Sequence, residues 1–188
     1  EHDREMADTF WDLLQKKTRT TPVMMENPKT MQRKSHVFIR GSWLEKGEEV
    51  QPGVPASLIP LPEHAPVNRL GLAQWMIDKD HPLTSRTFVN RIWEQLMGKG
   101  LVETLEDFGT QGAEPTHPEL LDYLAWHFMH DLNWSVKGLI KTILMSHTYR
   151  QQSINTEEMM RKDPYNLYYA RAPRVRLTAE QIRDQALY

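Results

Sequence analysis

The sequence predicts a mainly α protein, a multi-helix orthogonal bundle preceded by a proline-rich arm that carries a small β-hairpin. Apolar residues recur every three or four positions in several segments after residue 67, which is typical of amphipathic helices. Seven of the 12 prolines lie between residues 18 and 66, and proline disfavours both helix interiors and central strands. We therefore expect an N-terminal helix over residues 1–17, an extended arm over 18–66 and a helical body over 67–188.

Two kinds of element are predicted before the helical body. Residues 3–17 are expected to form an amphipathic helix, because their apolar side chains are at helical spacing: Met6, Phe10, Leu13 and Leu14. Within the arm, Val23–Met25 and His36–Ile39 are short apolar runs separated by a polar connection. Such runs predict the two strands of a small hairpin.

The body contains one segment with an unusually wide apolar stripe. This stripe predicts a buried helix and consists of Phe88, Val89, Ile92, Trp93, Leu96 and Met97. Gly98 is expected to end the helix in a left-handed conformation, and Thr84 or Ser85 to cap its start. A shorter helix is predicted before it, ending near Asp78.

Capping signals predict the starts of three further helices. Thr116 and Glu119 have the spacing of a capping box, and so do Thr178 and Gln181. Ser135 is expected to open the helix between them. The last helix begins about ten residues before the end of the sequence, so we expect that it is cut short there.

Charge and composition argue against several classes of protein. A formal net charge of −2 over 188 residues disfavours a nucleic-acid-binding protein. The chain has no cysteine, so it can hold neither a disulfide, nor a thiolate zinc site, nor a covalently attached haem. No apolar run is long enough to cross a bilayer, and the first residues lack the pattern of a signal peptide. We expect no cofactor and no structural metal in this chain.

The motifs in the second half of the chain occur in the same order as in one bacterial family. They include Arg69-x-x-Leu72-Ala73-x-Trp75, Val89-Asn90-Arg91-x-Trp93, Asp107-Phe108-Gly109, His117-Pro118-Glu119-Leu120-Leu121-Asp122, Asp163-Pro164-x-Asn166 and Arg176-Leu177-x-Ala179-Glu180. Over about residues 22–188 the chain resembles the bacterial domain-of-unknown-function family 1553. Met97 is a departure, because an aromatic residue is more usual before Gly98 in that family.

The resemblance implies a context rather than an activity. Members of that family typically form the C-terminal module of large exported, cytochrome-c-associated proteins of planctomycete type. It therefore implies a periplasmic or extracellular parent protein, whose other domains would be the partners of this chain. Any haem would belong to one of those other domains.

Arg86, Asn90 and Arg91 are the first group of candidate site residues. They lie on consecutive turns of the helix with the wide apolar stripe, and polar groups placed against a core must be paired. They could clamp the carboxylate, sulfate or phosphate of a ligand. Alternatively, they could hold the Asp107 turn and neighbouring carbonyl groups against the helices. We favour this structural interpretation, because arginine commonly organises loops.

Asp107, His117 and Glu119 are the candidates for catalysis. The Asp107-Phe108-Gly109 sequence matches the magnesium motif of kinases, but the other kinase motifs are missing, so a turn with Gly109 at positive φ is expected. His127 and His130 have a spacing compatible with a metal, although no third ligand is evident. Paired carboxylates across a cleft are what glycoside cleavage requires.

A basic and aromatic stretch near the end of the chain is the last candidate. It contains Tyr165, Tyr168, Tyr169, Arg171, Arg174 and Arg176. Such a stretch can stack on bases or sugars, or its charges can pair with neighbouring carboxylates. These observations favour a non-catalytic structural or interaction module, and the family resemblance implies that it belongs to a larger exported protein. The alternative is an extracellular glycan-acting hydrolase that uses Asp107 and Glu119 as acid and base.

Overall fold

The computed structural model describes residues 2–15 and 25–188, and the chain divides into two compact units, residues 1–51 and 52–188. The described residues form eight α-helices and one antiparallel sheet of two strands. This content confirms the predicted mainly α class with a small hairpin. The unit boundary falls inside the predicted arm, so residues 52–66 belong to the helical unit.

The first unit contains one long helix, α1, His2–Gln15. It confirms the predicted N-terminal helix, although the last two predicted positions, Lys16 and Lys17, lie outside the described residues. Its apolar side chains are more than half exposed, among them Phe10, Trp11 and Leu14. The helix is therefore amphipathic, and the described residues of its own unit leave its apolar side uncovered.

The hairpin of the first unit is formed by β1, Ser35–Phe38, and β2, Lys46–Val50. Short 3-10 turns lie at Lys29–Met31 and Ile39–Gly41. The predicted strand His36–Ile39 is thus largely confirmed. In the described residues β1 pairs with β2, and Met25 is outside any strand. Val23 and Met24, the rest of the predicted partner strand, lie outside the described residues.

The second unit consists of helices joined by loops, and the longest connections are residues 98–117 and 163–178. They are α2 Arg69–Met76, α3 Thr84–Met97, α4 Pro118–His130, α5 Val136–Leu144, α6 His147–Arg150, α7 Glu157–Lys162 and α8 Ala179–Leu187. None of the helices in the described ranges is both long and apolar enough to cross a membrane. The arm segment is tied to this unit at α2, where Trp75 Nε1 donates to the carbonyl of Ile59 at 2.7 Å.

The core of the second unit lies between α3, α4 and α5. The predicted stripe of α3 supplies Val89, Trp93 and Met97, and all three are buried. The facing buried residues are Leu121, Leu124, Phe128, Leu139 and Ile143. Because the apolar residues of each helix recur every three or four positions, they form one continuous face that can be buried against its neighbours.

Helix α3 begins differently from the prediction. Its N-cap is Leu83, and neither Thr84 nor Ser85 caps it. The acceptor at this end is the Nδ1 atom of buried His81, which lies 3.3 Å from the amides of both Leu83 and Thr84 and 3.1 Å from the Thr84 hydroxyl. A histidine two residues before the N-cap thus accepts from the amides of the N-cap and first helical residues, which have no partner within the helix.

Several other helix ends confirm the prediction. Ser135 accepts from the Gly138 amide at the start of α5, and Thr178 and Gln181 form a complete capping box at α8. Gly98 ends α3 with φ 78°, a left-handed conformation that glycine adopts without a steric cost.

The predicted capping box at α4 is wrong, since the N-cap is His117 and no side chain caps it. The Thr116 hydroxyl donates instead to the Leu101 carbonyl at 3.2 Å, beside the backbone bond from Thr116 N to the same oxygen. Glu119 is exposed in the first turn. The loop before α4 is therefore held to Leu101 in the loop after α3. The Thr116 hydroxyl is turned toward Leu101 and does not cap α4.

Thr116→Ala is expected to lower the free energy of unfolding by about 1 kcal/mol, because it removes the hydroxyl that contacts the Leu101 carbonyl and His117 Nδ1. Chemical denaturation of the variant measures the loss. Thr116→Ser keeps the hydroxyl and is the matched control, so we expect it to retain most of the stability. An equal loss in both variants would show that the methyl group, rather than the bond to Leu101, is responsible.

Candidate functional site

Arg86 lies on the exposed side of α3 and connects it to α4. Its Nε donates to Asp122 Oδ1 at 2.6 Å, and its Nη1 donates to the Pro82 carbonyl at 2.6 Å. The side chain is 35% exposed and that of Asp122 is 57% exposed, so solvent screens the ion pair. Such an exposed pair contributes about 0.2–1 kcal/mol to the free energy of unfolding.

Asn90 has a different environment, because it is fully buried in the core face of α3. Its Nδ2 donates to the Val102 carbonyl and its Oδ1 accepts from the Val102 amide, both at 2.9 Å. The loop comes so close that a Cβ at Gly100 would lie 2.9 Å from either amide atom of Asn90. Asn90 therefore satisfies both backbone groups of Val102 and fixes the loop after α3.

Arg91 and Asp107 have different partners. Arg91 Nη2 is 3.2 Å from Glu106 Oε2, with both side chains at least half exposed. Asp107 Oδ1 accepts from the Gly109 amide at 2.7 Å, and Phe108 packs against the core. The predicted positive φ of Gly109 is wrong. A Cβ there would lie 3.0 Å from Asp107 Oδ1, so a larger residue would require the Asp107 carboxylate to shift slightly.

The remaining catalytic candidates lie at the start of α4. His117 Nδ1 is 3.0 Å from the Thr116 hydroxyl, and its ring is 5.4 Å from that of Tyr169. His127 is paired with Asp131 at 2.7 Å, and the His130 ring stacks on Trp126. Within residues 2–15 and 25–188, no three His, Asp or Glu side chains are close enough to share a metal ion.

Tyr169, in the basic and aromatic stretch, connects that stretch to the core. Trp93 Nε1 donates to its hydroxyl at 2.9 Å, and the two rings meet edge to face. Burial raises the pKa of the Tyr169 hydroxyl, against a smaller opposite effect of the Trp93 hydrogen bond. The Gln151 side chain donates to the Tyr169 carbonyl at 2.6 Å. This tyrosine therefore positions the loop against α3 at Trp93.

The loop over residues 163–171 is closed by a set of buried polar contacts. The Asp163 carboxylate accepts from the amides of Leu167 and Tyr168, and Arg171 Nη2 donates to the carbonyls of Asp163 and Pro164. Burial alone would raise the pKa of Asp163, but those amides and the Arg171 charge outweigh it and lower the pKa. We did not predict this role of Asp163, although an Asp-Pro pair is a recognised turn signal.

His81 was also absent from the predicted site residues. Its ring meets that of Trp75 edge to face at 4.4 Å. Burial lowers the pKa of the imidazole, partly offset by the Asp78 carboxylate. The neutral ring can then keep Nδ1 as the acceptor for the start of α3.

These contacts define a small helical domain whose predicted polar site residues bind mainly the domain's own loops and helix ends. Residues 68–188 match the model of the family PSD1, a protein of unknown function (DUF1553), and the chain belongs to that family. No curated protein and no solved structure matches the chain. The family resemblance seen in the sequence is thereby confirmed.

Proposed function

We propose that this chain is a non-catalytic interaction module of a larger exported protein and that it packs against another domain of the same polypeptide. The observation that carries the proposal is the outer side of α2. This helix buries only Gly71 and Trp75, and its three other large apolar side chains are at least 43% exposed, namely Leu70, Leu72 and Met76. Ile77, its C-cap residue, is 58% exposed.

A helix at a free surface normally directs polar side chains to solvent. A contiguous exposed apolar surface instead marks a site of protein interaction. Helix α1 in the first unit repeats the pattern, since Phe10, Trp11 and Leu14 are each more than half exposed. The same feature in both units supports contact with a further folded domain.

The contacts of the polar candidates support the non-catalytic part of the proposal. Both amide atoms of Asn90 are used by Val102, and the Arg86 guanidinium joins Asp122 to the Pro82 carbonyl. These are the contacts expected of residues that hold loops to helices. The family resemblance supports the remaining part, namely an exported, periplasmic or extracellular parent that carries any haem in another domain.

The hydrolase with Asp107 and Glu119 as acid and base stays a prediction. Asp107 directs one carboxylate oxygen at the amide of its own turn, while Glu119 is exposed on α4. Turnover of a glycan that disappears in both Asp107→Asn and Glu119→Gln, without loss of folding, would favour it over the interaction module.

Hydrogen exchange tests the interaction surface. We expect the amides of residues 69–77 to exchange more slowly in the full polypeptide encoded by the gene than in this chain alone, because a partner domain would cover α2. Ile77→Glu should remove that protection, because it places a charge in the contact. In the isolated chain the same change should alter stability by no more than about 0.5 kcal/mol, as is usual for an exposed position.

Gln74→Glu is the matched control, because Gln74 is exposed on the same helix and the change introduces the same charge. It should leave the protection of α2 intact. Equal exchange of residues 69–77 in the isolated chain and the full polypeptide would contradict the proposal.

A further inference from the structure

A cleft of about 410 Å³ lies between the C-terminal end of α3 and the segment over residues 155–174. Its walls include Lys99, Tyr165, Tyr169, Arg171 and Arg174. Of the described residues that line the cleft, three are cations and none is an aspartate or a glutamate. The cleft therefore favours a negatively charged occupant.

Arg171 is the residue that makes this cleft more than a basic surface. The side chain is only 7% exposed, and its Nη2 donates to two carbonyls of the 163–171 loop. Its Nη1 is buried without a hydrogen-bond partner among the described residues. A buried donor on a charged group without an acceptor costs free energy that a bound anion would recover.

The nearby carboxylate does not supply that acceptor. Asp163 lowers the cost of burying the Arg171 charge, but its two oxygens accept from the amides of Leu167 and Tyr168. The other two cations lie nearer the surface. Lys99 Nζ is 3.1 Å from Glu103 and 5.8 Å from the centre of the Tyr165 ring, and exposed Arg174 donates to the Ser153 carbonyl.

We propose that this cleft binds the oxyanion group of a small molecule, with Arg171 Nη1 as the inner donor and Lys99 and Arg174 as the outer cations. A carboxylate, a sulfate and a phosphate share the required chemistry, because each presents anionic oxygens to a guanidinium fork. The Tyr165 and Tyr169 rings offer apolar surface for the rest of the molecule. This proposal is independent of the surface on α2.

Calorimetric titration of the chain with sodium sulfate, inorganic phosphate and glucuronate, each at the same ionic strength set with chloride, tests the inference. We expect saturable binding of at least one of the three. The anion that binds most tightly shows whether the cleft prefers a planar carboxylate or a tetrahedral sulfate or phosphate. Arg174→Gln should weaken that binding about tenfold, the loss expected of one charge-assisted contact.

Arg183→Gln is the matched control, because Arg183 is an exposed arginine on α8 that does not line the cleft. It should leave the affinity unchanged. Arg171→Gln should abolish binding if the variant folds; because Arg171 also closes the 163–171 loop, Lys99→Gln provides a second test and should weaken binding. Absence of saturable binding, or equal weakening by Arg183→Gln and Arg174→Gln, would overturn the proposal.

Discussion

Trp93→Ala is expected to lower the free energy of unfolding by about 3–5 kcal/mol, the cost of emptying a buried aromatic site. Trp93 is 4% exposed and lies in the middle of the stripe of α3. The change removes the indole from the core and also removes the donor to the Tyr169 hydroxyl, so the basic and aromatic stretch loses its contact with α3. Denaturation in urea or guanidinium measures the loss.

Trp93→Phe separates the two contributions. Phenylalanine keeps most of the buried apolar surface but cannot donate to Tyr169, so we expect a smaller loss than for alanine. The pKa of the Tyr169 hydroxyl should then rise further, because the hydrogen bond from Trp93 that lowers it is gone. Absorbance of the tyrosinate measures this change. If Trp93→Ala cost no more than Thr116→Ala, the assignment of Trp93 to the centre of the core would be contradicted.

Asn90→Ala is expected to cost about 2–6 kcal/mol, although it removes only a few atoms. The substitution leaves both the amide and the carbonyl of Val102 buried without a partner, and each such group costs roughly 1–3 kcal/mol. A similar truncation at exposed Gln74 should be almost neutral. A loss below that of Thr116→Ala would contradict the role assigned to the two Val102 contacts.

Asn90→Asp gives the same position a dependence on pH. Burial raises the pKa of a carboxyl group above its unfolded value of about 3.9, and only the protonated acid can donate to the Val102 carbonyl. The deficit relative to the native chain should therefore be smallest below the unfolded pKa and increase as the pH rises through the folded pKa. A deficit independent of pH would show that the amide nitrogen is not the important donor.

The aromatic and aliphatic stripes explain why the helices of eight or more residues were predictable, whereas the shorter α6 and α7 were not predicted. A helix is stabilised by local hydrogen bonds and by one apolar face, and both are visible in the spacing of residues along the chain. The stripe of Val89, Trp93 and Met97 therefore indicated both α3 and its buried side. Gly98 indicated its end, because the need for a left-handed residue is also local.

The candidate site was predictable only in part. Arg86, Asn90 and Arg91 were expected to require partners, and the structure gives each a different one, in Asp122, Val102 and Glu106. The separation along the chain explains why these partners could not be deduced: Arg86 and Asp122 are 36 residues apart. Arg171 was noted only as part of a basic stretch, because its burial depends on how the 163–171 loop closes.

By itself the sequence determined the mainly α class, the core faces of the long helices, the turn at Gly98, the capping box at Thr178 and the membership of the family. The tertiary structure decided which strand pairs with β1, that His81 rather than Thr84 satisfies the start of α3, and that the Thr116 hydroxyl binds Leu101 instead of capping α4. The physical reason is the range of the interactions. Helical periodicity arises within one or two turns, whereas a polar side chain with several possible partners takes the one that folding brings to it, and that partner can be far away in sequence.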